Sequence, residues 1–281
     1  MVKLSSLRNN AIKLMTESGI EEARADTDVL LSHFAGADKK DIILGNKIID
    51  ENQEKLFLDA VNRRISGEPV QYITGKCEFF SLEFFVNSST LIPRADTEIV
   101  VEECIKLIKE HSLKSVLDIG AGSGCIGITL SHSIDDLDVT LLDVSEDALK
   151  MCKRNAESLL GGKKISFINA DIKAVNEECF EKFDLIVSNP PYIETEVVKE
   201  LEEKVKDYEP IRALDGGEDG LLFYRVITEL ASKKAKYLAF EIGYNQKETV
   251  FSIMSEYFSD IKIYKDYGNN FRCLIGKNKQ I

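Results

Sequence analysis

The 281-residue sequence predicts a doubly wound, mostly parallel α/β sheet of seven strands, preceded by a small helical domain and a connecting β-hairpin. Three observations carry this reading. From about residue 95, short apolar strands alternate with amphipathic helices, the order that builds a parallel sheet covered on both faces. Before residue 75 the apolar positions recur only at helical spacing. Between the two lies a short run of aromatics with strand-like spacing. The expected domains are 1–75, helical; 76–94, the hairpin linker; and 95–281, the α/β domain.

The elements follow in chain order. MVKLSSLRNN lacks an apolar signal-peptide core and reads as the start of a polar-faced helix. LRNNAIKLM, ARADTDVLLSHF and EKLFLDAVNRRI each place apolar residues on one helical face, with Gly19, Gly36 and Gly45 marking ends. Arg24, Asp26 and Asp28 read as a solvated helix face. GEPVQYITG (67–75) breaks the helical pattern. Phe79, Phe80, Leu82, Phe84, Phe85 and Val86 then fit a hairpin turning near Ser81 to Glu83. Beyond it, helix TEIVVEECIKLIKE leads into strand SVLDIG (115–120), a helix from Cys125 and strand DVTLLD (138–143). Helix SEDALKMCKRNAESL, strand KISFINA (164–170) and strand FDLIVS (183–188) come next. Helix GLLFYRVITELA, strand KYLAFEI (236–242), helix NQKETVFSIMSEYF and strands IKIYKD and FRCLIG complete the chain. The last two strands have no helix between them, so one of them runs antiparallel.

Composition narrows the function. Hydrophobic residues make up 44%, enough for a substantial core, yet no run reaches the roughly 18 apolar residues that span a bilayer. No membrane role is expected, and the cytoplasm is the default location. The net charge of −12 argues against direct nucleic-acid binding, where phosphate neutralisation by basic residues supplies much of the affinity. Cys77, Cys104, Cys125, Cys152, Cys179 and Cys273 are scattered, as buried free thiols are in a reducing compartment. His33, His111 and His132 are isolated as well, so no metal site is expected.

In an open α/β sheet, ligands bind beyond the carboxyl ends of the strands. The first of these strands ends in DIGAGSGCIG, where Gly120, Gly122, Gly124 and Gly127 allow a tight turn and close backbone approach to a ligand. The second ends in Asp143, at the distance where a carboxylate accepts ribose hydroxyls. A nucleoside-bearing ligand follows. Gly122, Gly124 and Gly127 also satisfy the G-x-G-x-x-G spacing of nicotinamide dinucleotide sites, which keeps an oxidoreductase open. The alternative frame, D-x-G-x-G-x-G from Asp118, resembles the cofactor loop of class I methyltransferases, which bind S-adenosylmethionine. In that family an acidic residue at the third strand end, here Asp171, meets the adenine amino group, and the next residue, Ile172, lines the base.

The fourth strand ends in Asn189-Pro190-Pro191-Tyr192. Pro190 pushes Asn189 towards an extended backbone, and two prolines without N–H offer carbonyl acceptors with no competing donors. Tyr192 adds a flat face. These are the requirements for holding a planar amide or amino nitrogen. An amide lone pair is delocalised, so positioning and electrostatics must supply most of the rate, and a neutral thioether leaving group needs no metal.

NPPY, DIGAGSG, LIPRADTE (91–98), GEPVQYITG and GGEDGLLFYR (216–225) together resemble the release factor glutamine methyltransferases over nearly the whole chain. The resemblance implies methylation of the side-chain amide nitrogen, N5, of the glutamine in the Gly-Gly-Gln loop of peptide chain release factors. S-adenosyl-L-methionine is the implied cofactor and S-adenosyl-L-homocysteine its product. It further implies cofactor contacts from Gly120, Ala121, Gly122, Ser123, Gly124, Asp143, Asp171, Ile172 and Asn189. Substrate contacts fall on Asn189, Pro190, Pro191 and Tyr192, with Asn189, Pro190 and Tyr192 as the catalytic set and Arg94 and Thr97 bordering the pocket. The helical domain is the implied recognition element, and a monomer is the working expectation. Two departures stand out: Ala95 replaces the family's proline, and Ser232-Lys233-Lys234-Ala235 replaces a Pro-Gly-Gly turn, a difference expected at the surface. The rival readings are a glutamine methyltransferase acting on a ribosomal protein and a DNA or RNA amino-methyltransferase. A nicotinamide oxidoreductase or a non-catalytic interaction module would leave NPPY without a task.

Overall fold

The computed structural model describes residues 1–175, 178, 180–200 and 208–280. It divides into two compact units, Met1–Lys76 and Cys77–Ile281.

In the first unit a short antiparallel pair, β1 (Val2–Lys3) with β2 (Ile48–Ile49), accompanies five helices: α1 (Leu4–Glu17), α2 (Ala23–Ala35), α3 (Lys39–Leu44), α4 (Glu51–Ile65) and α5 (Val70–Thr74). Leu4, Leu7, Ala11 and Met15 form the buried stripe of α1, packed with Leu30, Leu31, Phe57 and Val61 in one core. Asp38 and Asp50 cap α3 and α4 through reciprocal capping boxes, each satisfying two backbone donors that a helix start leaves unpaired. The chain start is thus strand before helix, and the segment after Gly67 regains one helical turn, α5, behind Pro69. The charged face of α2 also differs from expectation. Asp26 is buried, with its Oδ2 2.6 Å from Arg64 Nε. Arg8 grips Asp28 through both Nε and Nη2, at 2.6 and 2.8 Å. Only Arg24 of the three faces solvent. The partners lie on other helices, beyond the reach of local spacing.

Next in the chain comes the hairpin β3 (Lys76–Phe79) and β4 (Leu82–Phe85), whose turn is Phe80-Ser81 and not 81–83. Both turn residues have positive φ, 51° and 60°, the conformation that matches the twist of paired strands. Glu98 anchors the turn by accepting the Phe80 N–H at 2.7 Å.

Seven strands then form the central sheet in the order β10-β11-β9-β8-β5-β6-β7. They are β5 (Ser115–Ile119), β6 (Asp138–Asp143), β7 (Ile165–Asn169), β8 (Phe183–Ser188), β9 (Ala235–Glu241), β10 (Phe258–Lys265) and β11 (Phe271–Asn278). All pairings from β7 to β9 are parallel, and β11 runs antiparallel to both β9 and β10. The strand residues alternate between two cores. Val116, Leu185, Val187 and Ala239 join α6 (Glu98–His111), α7 (Cys125–Ser133) and α8 (Glu146–Leu159) on one side. Leu117, Ile186, Leu238 and Phe240 join the helices Leu222–Lys234 and Lys247–Ser255 on the other. The central strands β5, β8 and β9 are therefore buried on both faces, which is why they read as nearly continuous apolar runs, while the edge strands β7 and β10 keep exposed positions.

The segment Ser232–Ala235 is not a surface turn. Helix Leu222–Lys234 passes directly into β9, and buried Asn278 Nδ2 donates to the Ser232 and Ala235 carbonyls, each at 2.8 Å. That side chain satisfies the carbonyls that a helix end leaves unpaired. Cys77, Cys104, Cys152 and Cys273 are buried free thiols and Cys125 is half-buried, while Cys179 lies outside the described residues. Among the described residues no helix is long and apolar enough to cross a membrane, and no group of three or more His, Cys, Asp or Glu residues is placed to hold a metal.

Candidate active site

Strand register builds the site. Ile119 of β5 pairs with Leu142 of β6 and Ser188 of β8, and Ser188 pairs with Phe240 of β9. The next residue of each strand therefore falls on one level: Asp143, Gly120, Asn189 and Glu241 stand side by side at the carboxyl edge of the sheet.

The glycine loop follows β5. Its backbone is tied to β6, with the Gly120 and Ala121 N–H groups donating to the Leu142 carbonyl at 2.8 and 3.0 Å. The Gly122 N–H donates to Asp143 Oδ2 at 2.9 Å, and the Ser145 N–H to Asp143 Oδ1 at 2.8 Å. Gly120 and Gly122 adopt φ of +75° and +57°, and a Cβ built on either meets nothing within 4 Å. Both face a cavity of about 340 Å³, within the range of small-molecule sites. The loop is thus a bare backbone floor. Asp143 lines the same cavity with acceptor capacity to spare, since each carboxylate oxygen takes more than one hydrogen bond. Ile119, Ile126, Leu142, Ile172 and Phe223 supply apolar wall. A carboxylate for ribose hydroxyls, beside apolar surface for a base, fits an adenosine-bearing cofactor.

Asp118, which opens the loop motif, points inward instead. It is 1% exposed; its Oδ2 accepts the Gly127 N–H at 2.9 Å and its Oδ1 has no partner among the described residues. Burial, with a further push from Asp143, raises its carboxyl to about 7. Gly127 serves packing: a Cβ there would lie 2.3 Å from Leu141 Cδ2.

NPPY emerges from β8 over this floor. Asn189 Nδ2 donates to Thr97 Oγ1 at 3.4 Å, which turns Oδ1 the other way. Among the described residues nothing donates to Asn189 Oδ1 or to the Pro190 carbonyl. The loop is held from behind. Gln246 Nε2 donates to the Tyr192 carbonyl at 3.0 Å, and Ile193 exchanges backbone hydrogen bonds with Leu214 and Gly216 at 3.0 and 2.8 Å. A Cβ on Gly216 would stand 2.7 Å from the Pro191 carbonyl oxygen, and one on Gly220 2.5 Å from that of Tyr192. The GGEDG segment is therefore the surface on which the tetrapeptide backbone rests.

Gly120, Ala121, Gly122, Ser123, Asp143, Asp171, Ile172, Asn189, Pro190 and Pro191 all line the one cavity, together with Arg94 and Thr97. Asp171 is folded into its own turn, its Oδ1 accepting the Lys173 N–H at 3.0 Å. Arg94 is braced by buried Glu209, with Nη2 2.5 Å from Oε1. Two expected members stand off the cavity wall. Gly124 is turned into the start of α7, where a Cβ would lie 2.5 Å from Ile128 Cδ1. Tyr192 is half-buried against the core on the Leu222–Lys234 side, and burial raises its hydroxyl above the usual range. The sequence reading missed Glu241, Gln246 and Arg272. An acidic residue at the end of the apolar strand KYLAFEI was the available signal for the first of these.

A family model described as the PrmC N-terminal domain matches residues 6–75, and one described as the methyltransferase small domain matches residues 97–205. A release factor glutamine methyltransferase of Clostridium acetobutylicum is 38% identical over 279 residues, covering 98% of each chain. This chain belongs to the release factor glutamine methyltransferase family. A Bacillus subtilis member is 36% identical and covers 96% of each chain. The hMettl16 catalytic domain, 14% identical, shares the fold with a TM-score of 0.54, covering 84% of this chain and 85% of its own. As a family member the chain uses S-adenosylmethionine, and the nicotinamide reading of the glycine loop falls away.

Proposed function

We propose that this chain methylates the side-chain amide nitrogen of the glutamine in the Gly-Gly-Gln loop of peptide chain release factors, with Asn189 and Pro190 holding that nitrogen. The observation that carries the residue roles is a pair of acceptors, Asn189 Oδ1 and the Pro190 carbonyl, unbonded among the described residues and level with the Gly120 floor. A primary amide nitrogen carries two hydrogens in one plane, and two fixed acceptors select it and set the direction of its lone pair. When bound, S-adenosylmethionine supplies an electrophilic methyl whose departure leaves a neutral thioether. Gly120, Ala121, Gly122 and Ser123 form its floor, Asp143 accepts ribose hydroxyls, and Asp171 and Ile172 meet the base. Tyr192, outside the cavity wall, supports the far side of the tetrapeptide.

A glutamine side chain is too small to distinguish one protein from many, so selection falls to the helical segment 1–75. The protein works as a cytoplasmic monomer and, with a net charge of −12, without gripping nucleic acid directly. Replacing Asn189 by Ala tests the central role. Single-turnover methyl transfer is expected to fall on the order of 10²- to 10³-fold, the scale for one preorganised polar contact to a reacting group. Cofactor affinity falls far less. A near-normal rate would reduce NPPY to a turn.

A further inference from the structure

Glu241 is buried and 2% exposed at the last residue of β9, outside the cavity wall. A carboxylate buried at that depth costs free energy unless its oxygens are paired or hydrogen-bonded. Its place in the register is one strand over from Asn189, at the same level, so the two side chains leave the sheet on the same side. Thr97 lies between them in function. Its hydroxyl oxygen accepts from Asn189 Nδ2 at 3.4 Å, and Thr97 and Asn189 both favour the charged form of Glu241, whose buried Oε2 has no hydrogen-bond partner among the described residues.

The surroundings keep this arrangement in place. Arg272 is clamped by Asp266 and Asp96, Nε to Oδ2 and Nη2 to Oδ2, each at 3.1 Å, and its Nη1 donates to the Ile242 carbonyl at 3.3 Å. Asp96 is thus tied to the start of β11, which fixes the adjacent Thr97. The Tyr224 hydroxyl donates to the Glu241 carbonyl at 3.0 Å and pins the strand end.

We propose that Glu241, with the Thr97 hydroxyl, is a positioning residue that sets the orientation of the Asn189 amide, so that Oδ1 and not Nδ2 meets the substrate nitrogen. The two ends of an asparagine amide are nearly identical in shape, and only their hydrogen bonds distinguish them. Flipped, Asn189 would set its oxygen against a carboxylate and offer donors to a substrate nitrogen that is itself a donor. A charged Glu241 opposes the flip; a protonated one donates as readily as it accepts and opposes it less. Burial raises this carboxyl to about 7, against the lowering effects of Thr97, Arg272 and Asn189. The other groups facing it are Asp96, Tyr192, Tyr224, Cys125 and Cys273. Transfer therefore rises with pH through about 7 as Glu241 ionises.

The inference rests on the proposed role of Asn189, and a double-mutant cycle separates the two. In the full-length protein Glu241→Gln keeps the shape but lets the neighbour accept or donate. It is expected to lower kcat about tenfold, the scale of one net hydrogen bond, with the S-adenosylmethionine KM unchanged and the pH limb near 7 lost. Thr97→Val, which leaves Glu241 in place, gives a similar fall and serves if Glu241→Gln does not fold. In an Asn189→Ala background neither change has a further effect, because both act through Asn189. Equal falls with and without Asn189 overturn the positioning role, as does an unchanged pH limb in Glu241→Gln. Normal transfer by Asn189→Ala alone instead overturns the reading of the site.

Discussion

Asp118 offers a test of the physics beneath the glycine loop that is independent of activity. Its carboxyl is 1% exposed, with a single backbone donor, and burial raises it from 3.8 to about 7. A raised carboxyl means that the folded state prefers the protonated form. Its contribution to stability is complete below the unfolded value of 3.8 and is lost as pH rises through about 7. Each tenfold difference in proton affinity between the folded and unfolded states is worth about 1.4 kcal/mol, so this loss is on the order of 3 kcal/mol between about pH 5 and pH 8. Asp118→Asn keeps an oxygen for the Gly127 N–H and removes the charge. The variant should gain on the native protein by that amount as pH rises across the same interval, while Glu241 titrates in both proteins and cancels. Urea unfolding at the two pH values, read through hydrogen exchange of the β5 amides, reports on the second unit alone. Parallel pH dependences for the two proteins would refute the claim that Asp118 is an uncompensated buried acid.

Three further outcomes are expected. Asp143→Ala removes the acceptor at the end of β6 and loosens the Gly122 and Ser145 N–H groups; calorimetry should show S-adenosylmethionine binding weakened at least about tenfold, while the native protein shows no NAD binding. Gly216→Ala forces a methyl against the Pro191 carbonyl oxygen, 2.7 Å from where the Cβ would stand; stopped assays should show kcat falling on the order of tenfold or more, as a small displacement of positioning groups does, with cofactor affinity nearly retained. Deleting residues 1–75 should leave a protein that still binds the cofactor but loses most methylation of an intact release factor; folding is verified first by circular dichroism, because newly exposed apolar surface promotes aggregation. Full-speed modification by the folded truncation would deny the first unit a role in recognition.

What could be read directly from the sequence was what local spacing encodes. The alternation of strands and helices placed β5 through β11 in order, and the strand-end residues of DIGAGSG, DVTLLD and NPPY fell on one sheet edge because parallel register aligns carboxyl ends. What escaped depends on partners distant in the chain. Asp26 looks like surface until Arg64, 38 residues later, is folded against it. The Phe80-Ser81 turn carries none of the Asn-Gly chemistry that announces such turns, and its support comes from Glu98. Gly216 and Gly220 read as ordinary loop glycines until the backbone of NPPY comes to rest on them. Glu241 was hidden for a different reason: an apolar strand ending in one acidic residue resembles any strand emerging into solvent, and only the register shows that this end is covered.

The most direct measurement offers labelled S-adenosylmethionine to the full-length protein with a release factor, a ribosomal protein mixture and DNA in the same reaction. The label is expected on the release factor, at the glutamine of its Gly-Gly-Gln loop, and is expected to vanish when that glutamine is replaced. Label on a ribosomal protein or on DNA, with the release factor unmodified, would contradict the account.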